Sequence, residues 1–376
     1  MPENQWNKGV RRGFSHHTDA RRAVEELAGQ LGGPELNAVV FFCSPSYDLD
    51  LLGRTVKEQF NCPVAGCTTA GEIYAPKGYL QNSLVGIGFA SPEIAMTPVF
   101  IPSLTDFLGR GDPAAFKQPA SARKGRRFAL TLIDGLSLVE ERVVSAVKAY
   151  LPDVPLIGGS AGDGLNFGRT YVYHDGGFHD NAASVALFTT TLPFKTFRIQ
   201  HFVPSETKLV ITEADPGTRT VREINGLPAA GEYARIVGVP VAELSSEIFA
   251  ANPVMVRIGG EYFVRSISRV NTDGSITFFC AIDNGLVLTL AKGVDLLENL
   301  DTQLQHLARE IPDIQLILWC DCILRRIEVQ QRLEDRQLAE LMAPFPCIGF
   351  CTYGEQFNGV HVNQTLTGLA LGGGDA

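Results

Sequence analysis

Three unbroken apolar runs, Ala38-Val-Val-Phe-Phe-Cys43, Phe128-Ala-Leu-Thr-Leu-Ile133 and Ile314-Gln-Leu-Ile-Leu-Trp-Cys320, have the length and uniform hydrophobicity of strands buried on both faces. Each is followed by a segment with helical spacing, over residues 47–60, 138–151 and 325–342. Each helix then gives way to one recurring phrase: Pro63-Val-Ala-Gly66-Cys-Thr-Thr-Ala-Gly71-Glu72, Pro155-Leu-Ile-Gly158-Gly-Ser-Ala-Gly162-Asp163 and Pro346-Cys-Ile-Gly349-Phe-Cys-Thr-Tyr-Gly354-Glu355. The second copy is one residue shorter. Behind the copies come Gly78-Tyr-Leu-Gln-Asn82, Gly177-Phe-His-Asp-Asn181 and Gly359-Val-His-Val-Asn363, leading into strands at 84–90, 183–190 and 365–371. A strand, a helix and a second strand form a crossover, which makes the two strands parallel neighbours. Repetition of the pattern predicts an α/β fold: repeated strand-helix-strand crossover units forming mixed sheets.

The remaining segments read differently. Residues 18–31 have helical spacing and stop at Gly32-Gly33. Residues 102–127, with Gly109, Gly111, Pro113, Pro119 and the basic run Arg123-Lys-Gly-Arg-Arg127, read as a surface linker. Residues 193–295 alternate apolar and polar positions between turn signals at Pro216-Gly217, Gly259-Gly260 and Asn271-Thr-Asp-Gly274, which predicts an inserted antiparallel β region. Leucines at 296, 297, 300, 304 and 307 mark an amphipathic helix from Asp295 to Ile311.

Composition removes several function classes. The chain has 376 residues, 45% apolar and 19% charged, the composition of a folded protein of two or three domains. A net charge of −9 argues against nucleic acid or an anionic membrane as partner. No apolar stretch is long enough to span a bilayer, and the polar start Met-Pro-Glu-Asn-Gln-Trp-Asn-Lys lacks the apolar core of a signal peptide. Eight cysteines in no paired framework suit a reducing compartment, so a cytoplasmic location is expected, with no membrane insertion.

Candidate chemistry gathers where the phrases end, because ligands of parallel sheets bind beyond the carboxyl ends of the strands. The phrases supply glycine-permitted backbone donors, the hydroxyls of Thr68, Thr69, Ser160 and Thr352, and one carboxylate each, Glu72, Asp163 and Glu355. Such groups either hold a small polar ligand or turn and cap the chain. The third copy carries the most polar equipment: Tyr353, Glu355, His361 and Asn363 lie within a few residues, next to aromatic rings. By alignment of the glycines, His361 takes the place of Leu80 and His179 in the other units. Cys320, Cys322, Cys347 and Cys351 sit at adjacent strand ends, either as core residues or as a metal or redox site, although their spacing departs from paired C-x-x-C. Neither a Gly-x-Ser-x-Gly elbow, a Walker loop nor His-Glu-x-x-His occurs, so a sensory or regulatory binding protein is expected before an enzyme.

Gly66-Cys-Thr-Thr-Ala-Gly-Glu72, Gly158-Gly-Ser-Ala-Gly-Asp163 and Arg222-Glu-Ile-Asn-Gly-Leu-Pro-Ala-Ala230 resemble the signatures of FIST-domain proteins, bacterial signal-transduction sensors built from FIST-N and FIST-C halves. The resemblance implies an N-terminal extension at 1–34, a FIST-N domain at 35–225 and a FIST-C domain at 226–376. It also implies a small-ligand sensor, amino acids being one suggested ligand. His201-Phe-Val-Pro204, Thr212-Glu-Ala-Asp-Pro216 and the run Gly354 to Thr365 are similar to the nitric-oxide-sensing, NosP-like haem proteins within that family. That likeness implies a haem b with His361 as iron ligand, His201 as the alternative, and His174, His179 and His306 behind them. It further implies regulation of a partner histidine kinase or cyclic-di-GMP enzyme, with a homodimer as a possible state. Two other readings stay open: an amino-acid sensor in which Glu72 or Glu355 takes the amine, and a thiol-dependent enzyme using the four C-terminal cysteines.

Overall fold

The computed structural model of the chain describes residues 9–116 and 125–373. The expectations attached to the first eight residues and to Pro119, Arg123 and Lys124 fall outside them. All three crossover units are present, each with its parallel pair: Ala38–Cys43 beside Val64–Thr68, Arg126–Ile133 beside Leu156–Ser160, and Ile314–Cys322 beside Cys347–Thr352. The helices between them are Leu49–Gln59, Glu140–Tyr150, and the pair Ile323–Gln331 and Asp335–Met342, where one helix over 325–342 was expected. Asp48 caps the first, its side chain accepting the Leu51 N–H at 2.9 Å, and Leu333, with φ at 58°, marks the break in the third.

Each unit then sends a short hairpin away from its own sheet. Glu72–Tyr74 and Gly78–Leu80 extend the third unit's sheet, Val172–His174 and Gly177–His179 the first unit's, and Glu355–Phe357 and Val360–Val362 the second unit's. The result is three six-stranded mixed sheets related by a cyclic exchange of hairpins. The outer edge strands are Val10–Ser15, Ile94–Ile101 and Phe194–Ile199, each antiparallel to the last strand of a unit. The last of these was expected to belong to the insert.

The hairpin register corrects the repeat alignment. Leu80, His179 and Val362 face the first residue of their hairpins, so His361 corresponds to Tyr79 and Phe178. The slip arises because Gly359, with φ at 91°, occupies the turn itself, whereas Gly177 already starts the second strand.

The inner faces of the three sheets share one core, in which Phe42 of the first and Phe350 of the third stack 4.3 Å apart beside Leu130 and Leu132 of the second. Helices cover the outer faces. The expected linker contributes to this cover: Leu104–Arg110 is a helix capped by Ser103, with Leu104 and Phe107 buried. The insert, from Phe202 to Gly293, is an eight-stranded antiparallel sheet with its own core around Tyr233, Phe249 and Phe278. Helix Leu296–Glu310, capped by Asp295, leads back to the third unit.

The phrase glycines are set by close packing. A Cβ on Gly349 would lie 1.8 Å from the Trp319 carbonyl oxygen, and one on Gly158 2.0 Å from that of Thr131. Gly349→Ala should therefore lower stability by about 3 kcal/mol, read as a shifted urea midpoint, because neighbouring backbone must move. Gly29→Ala, on a helix surface with nothing within 4 Å, should raise it by about 0.5 kcal/mol.

Candidate functional site

An opening lies beyond the carboxyl ends of the parallel strands of the first unit. There Gly71, at φ 130°, turns the chain out of the sheet, and a cavity of about 520 Å³ is lined by all three units. The first contributes Ser44, Thr69–Glu72 and Asn82; the second Asp163–Asn166, Arg169 and Tyr171; the third Ile323, Arg326, Ile327 and Gln330. This convergence follows from the hairpin exchange, which brings the second unit's segment 163–171 and the third unit's helix against the first unit's phrase.

Two carboxylates border the cavity, and both are already bound. Asp163 accepts the N–H groups of Phe167, Gly168 and Arg169 at 2.9, 2.8 and 2.9 Å and the hydroxyl of Tyr353, so it shapes the loop 163–169. Glu72 is fully buried and accepts the hydroxyls of Thr69 at 2.5 Å and Ser83 at 2.6 Å. Burial raises its pKa to about 7 against the pull of those hydrogen bonds.

The cationic side is different. Arg326 is 3% exposed and donates through Nη1 to the Ala70 carbonyl at 2.8 Å, while its Nε has no partner in the protein. Its guanidinium occupies the space that Gly71 leaves; a Cβ there would lie 1.7 Å from Nη1. Its neighbour Arg325 points the other way, into a buried relay: Nε donates to Asp321 at 2.7 Å, Asp321 accepts the Tyr79 hydroxyl at 2.6 Å, and Nη1 donates to His201 Nδ1 at 2.9 Å. His201 is thereby fixed as the Nε2–H tautomer and donates to Glu328 at 2.8 Å.

The third copy of the phrase is closed. Glu355 is buried and accepts the hydroxyls of Thr352 at 2.5 Å and Thr365 at 2.7 Å, and burial pushes it to about 8. His361, 2% exposed, packs over Gly354 next to Asn363; its Nδ1 and both amide atoms of Asn363 have no protein partner. Burial lowers the imidazole to about 4, so it is neutral. Tyr353 reaches the cavity's border through Asp163 and stacks on Phe167 at 4.7 Å. The structure therefore keeps Glu355, His361 and Asn363 away from the open cavity, with Tyr353 at its border, and holds His201 in the separate Arg325 relay.

A haem is not matched by these placements. No histidine lines the 520 Å³ cavity. His201 has both ring nitrogens engaged, His174 and His179 stand 4.1 and 5.0 Å from the Phe100 ring, and His306 lies on a surface helix 3.3 Å from Glu310. His361 alone among the five candidates combines burial with a ring nitrogen free of protein partners, and it is packed against Gly354. The thiols of Cys320, Cys322, Cys347 and Cys351 are buried and raised by burial, which keeps them protonated. No cluster of three metal-ligating side chains occurs among the described residues.

The sequence pattern of the FIST N domain matches residues 37–227, and that of the FIST C domain residues 229–358. The chain belongs to the FIST family. FIST domains are sensory domains of signal transduction. The boundary between the two FIST domains falls inside the antiparallel sheet, whose strands Phe202–Asp215 and Thr220–Ile224 precede it. No curated protein matches this FIST chain. Among its described residues no helix is long and apolar enough to cross a membrane.

Sequence reasoning had named Thr69, Glu72 and Asp163 but had missed Arg326, Arg169 and Gln330. The one local signal for Arg326 was the pair Arg325-Arg326 set in an apolar stretch just past a buried strand. Because burial raises both Glu72 and Glu355, their protonated forms suit the fold. The stability they contribute is complete below the ordinary carboxylate range and is lost as pH rises through about 7 and 8. The thermal midpoint should fall over that window. Glu355→Gln should flatten the fall, gaining about 1–3 kcal/mol over wild type at the alkaline end.

Proposed function

We propose that this FIST protein is a sensory module that binds a small polar ligand of amino-acid size in the cavity at Gly71 and signals through contact with a partner, a histidine kinase or cyclic-di-GMP enzyme being the class its resemblance implies. The observation that carries this reading is the cavity itself. Its volume of about 520 Å³ lies in the range of small-molecule sites, and side chains of three separate units converge on it. A packing defect inside one unit would not draw amides, hydroxyls and guanidinium groups from all three.

Ligand binding here acts on elements that reach the rest of the molecule. Loop 163–169 touches the insert through Phe167, 5.8 Å from Phe279, and helix Ile323–Gln331 reaches His201, the residue before the insert, through Arg325. A ligand that favours one arrangement of these elements shifts the population a partner sees.

Calorimetric titration with a panel of amino acids and related small polar metabolites tests the reading. At least one should bind saturably, and Asn166→Trp, an exposed substitution that fills the cavity mouth, should weaken it at least tenfold with the thermal midpoint unchanged. Binding that ignores Asn166→Trp would place the ligand elsewhere. The unpartnered Nδ1 of His361 favours one competing reading, haem-based gas sensing. If added haem gives a Soret band that shifts with nitric oxide and disappears in His361→Ala, that reading replaces the first.

A further inference from the structure

Resting on the reading that this cavity is the ligand site, we propose that its ligand is a small oxyanion, a carboxylate before a phosphate, and that Arg326 is the group that anchors it, with no ligand amine required.

The charge inventory of the cavity leads there. Two carboxyl side chains, Glu72 and Asp163, and two guanidinium side chains, Arg169 and Arg326, line it, so by composition it suits a zwitterion. Their hydrogen bonds remove that balance. Asp163 has its two oxygens filled by three backbone N–H groups and the Tyr353 hydroxyl, and Glu72, with no exposed surface, accepts one hydroxyl on each oxygen, from Thr69 and Ser83. Asp163 lacks the free acceptor positions, and Glu72 the exposure, that an ammonium group needs. Burial also holds Glu72 close to neutrality.

The guanidinium groups are not matched in the same way. Among the described residues, the buried Arg219 pairs with Glu140 and Glu141 and the buried Arg325 with Asp321, whereas the buried Arg265 has no ion pair and donates to the His361 carbonyl, away from the cavity lining. Arg326, as deeply buried, forms no ion pair with any carboxylate within 4.0 Å. It is held by the Ala70 carbonyl, the Cys351 thiol and the Tyr79 ring, 5.6 Å from its centre, with Nε left over. A buried cation of this kind is costly unless an anion meets it. Its planar fork offers two parallel N–H groups to one carboxylate or phosphate. Arg169 lines the same cavity and adds a second positive charge.

Titration of wild-type protein with L-glutamate, glutarate, inorganic phosphate and 1,5-diaminopentane tests the proposal. Glutarate shares the glutamate skeleton without its amine and should bind within a few-fold of glutamate, while the diamine should not bind. Arg326→Gln, which keeps a donor for the Ala70 carbonyl, should weaken glutarate by about 10- to 100-fold, the effect of losing a charged hydrogen-bonded partner. Arg169→Gln, on an exposed side chain, should weaken it by a smaller factor and guards against misfolding of the first variant. Phosphate binding tighter than glutarate with the same Arg326 dependence keeps the anchor and assigns the oxyanion to a phosphate. No saturable binding of any of the three anions overturns the proposal, as does diamine binding. Anion binding that Asn166→Trp blocks but Arg326→Gln leaves intact overturns the anchor and spares the cavity. Anion binding indifferent to both variants overturns the cavity reading itself.

Discussion

Each of the three sheets is completed by a hairpin it does not own, and the backbone ladder that seats those hairpins is the constraint on which the other features rest. Ile348–Phe350 pair with Glu72–Tyr74, Gly66–Cys67 with Val172–Tyr173, and Ile157–Gly159 with Glu355–Phe357. Without the exchange, each parallel pair would leave a strand edge with unpaired N–H and C=O groups inside the molecule, and a buried unpaired backbone group costs about 1–3 kcal/mol. No unit can satisfy its own edge. The three fold as one body, and the crevice beyond each pair of strand ends is therefore shared between units.

That sharing explains why the buried acids and bases behave so differently. Glu72 and Glu355 sit at the start of their hairpins, where the chain leaves one sheet for another, and hydroxyls from the same unit satisfy them. They are structural joints as much as candidate ligands. Arg326 comes from a different unit than the phrase it contacts, and that unit meets it with the Ala70 carbonyl and the Tyr79 ring and with no carboxylate within 4.0 Å. The open cavity and a buried charge without a carboxylate partner, Arg326, coincide at the seam between units. At the corresponding seam of the third copy, Tyr353 stands where Ala70 stands in the first, and the insert supplies Phe279 against Phe167. One seam stays open while its relative is filled by aromatic rings.

Much of the architecture was readable in the chain. Uniform apolar runs gave the parallel strands, helical spacing gave most of the helices, and the alternation in 193–295 gave the antiparallel insert. The legible part of the site was its local part, the hydroxyls and acids carried by the repeated phrase. Two expectations failed for local reasons. Residues 102–127 read as linker because glycine and proline surround a helix of only seven residues, Leu104–Arg110. The histidine alignment slipped because the matched glycines differ in place, Gly359 within its two-residue turn and Gly177 just after its own. His361 and Asn363 drew attention as the richest polar cluster, yet the fold closes over them.

The amino-acid sequence by itself determined the units, their order and the parallel pairing inside each, since these depend on periodicity and turn chemistry within some forty neighbouring residues. Only the tertiary structure decided which sheet each hairpin joins, and hence which residues meet across a seam. Glu72, Arg169 and Arg326 lie far apart along the chain, and no pattern in the intervening residues encodes their approach. Their meeting is fixed by the demand that every buried strand edge be paired, a demand that one unit can satisfy only with the backbone of another.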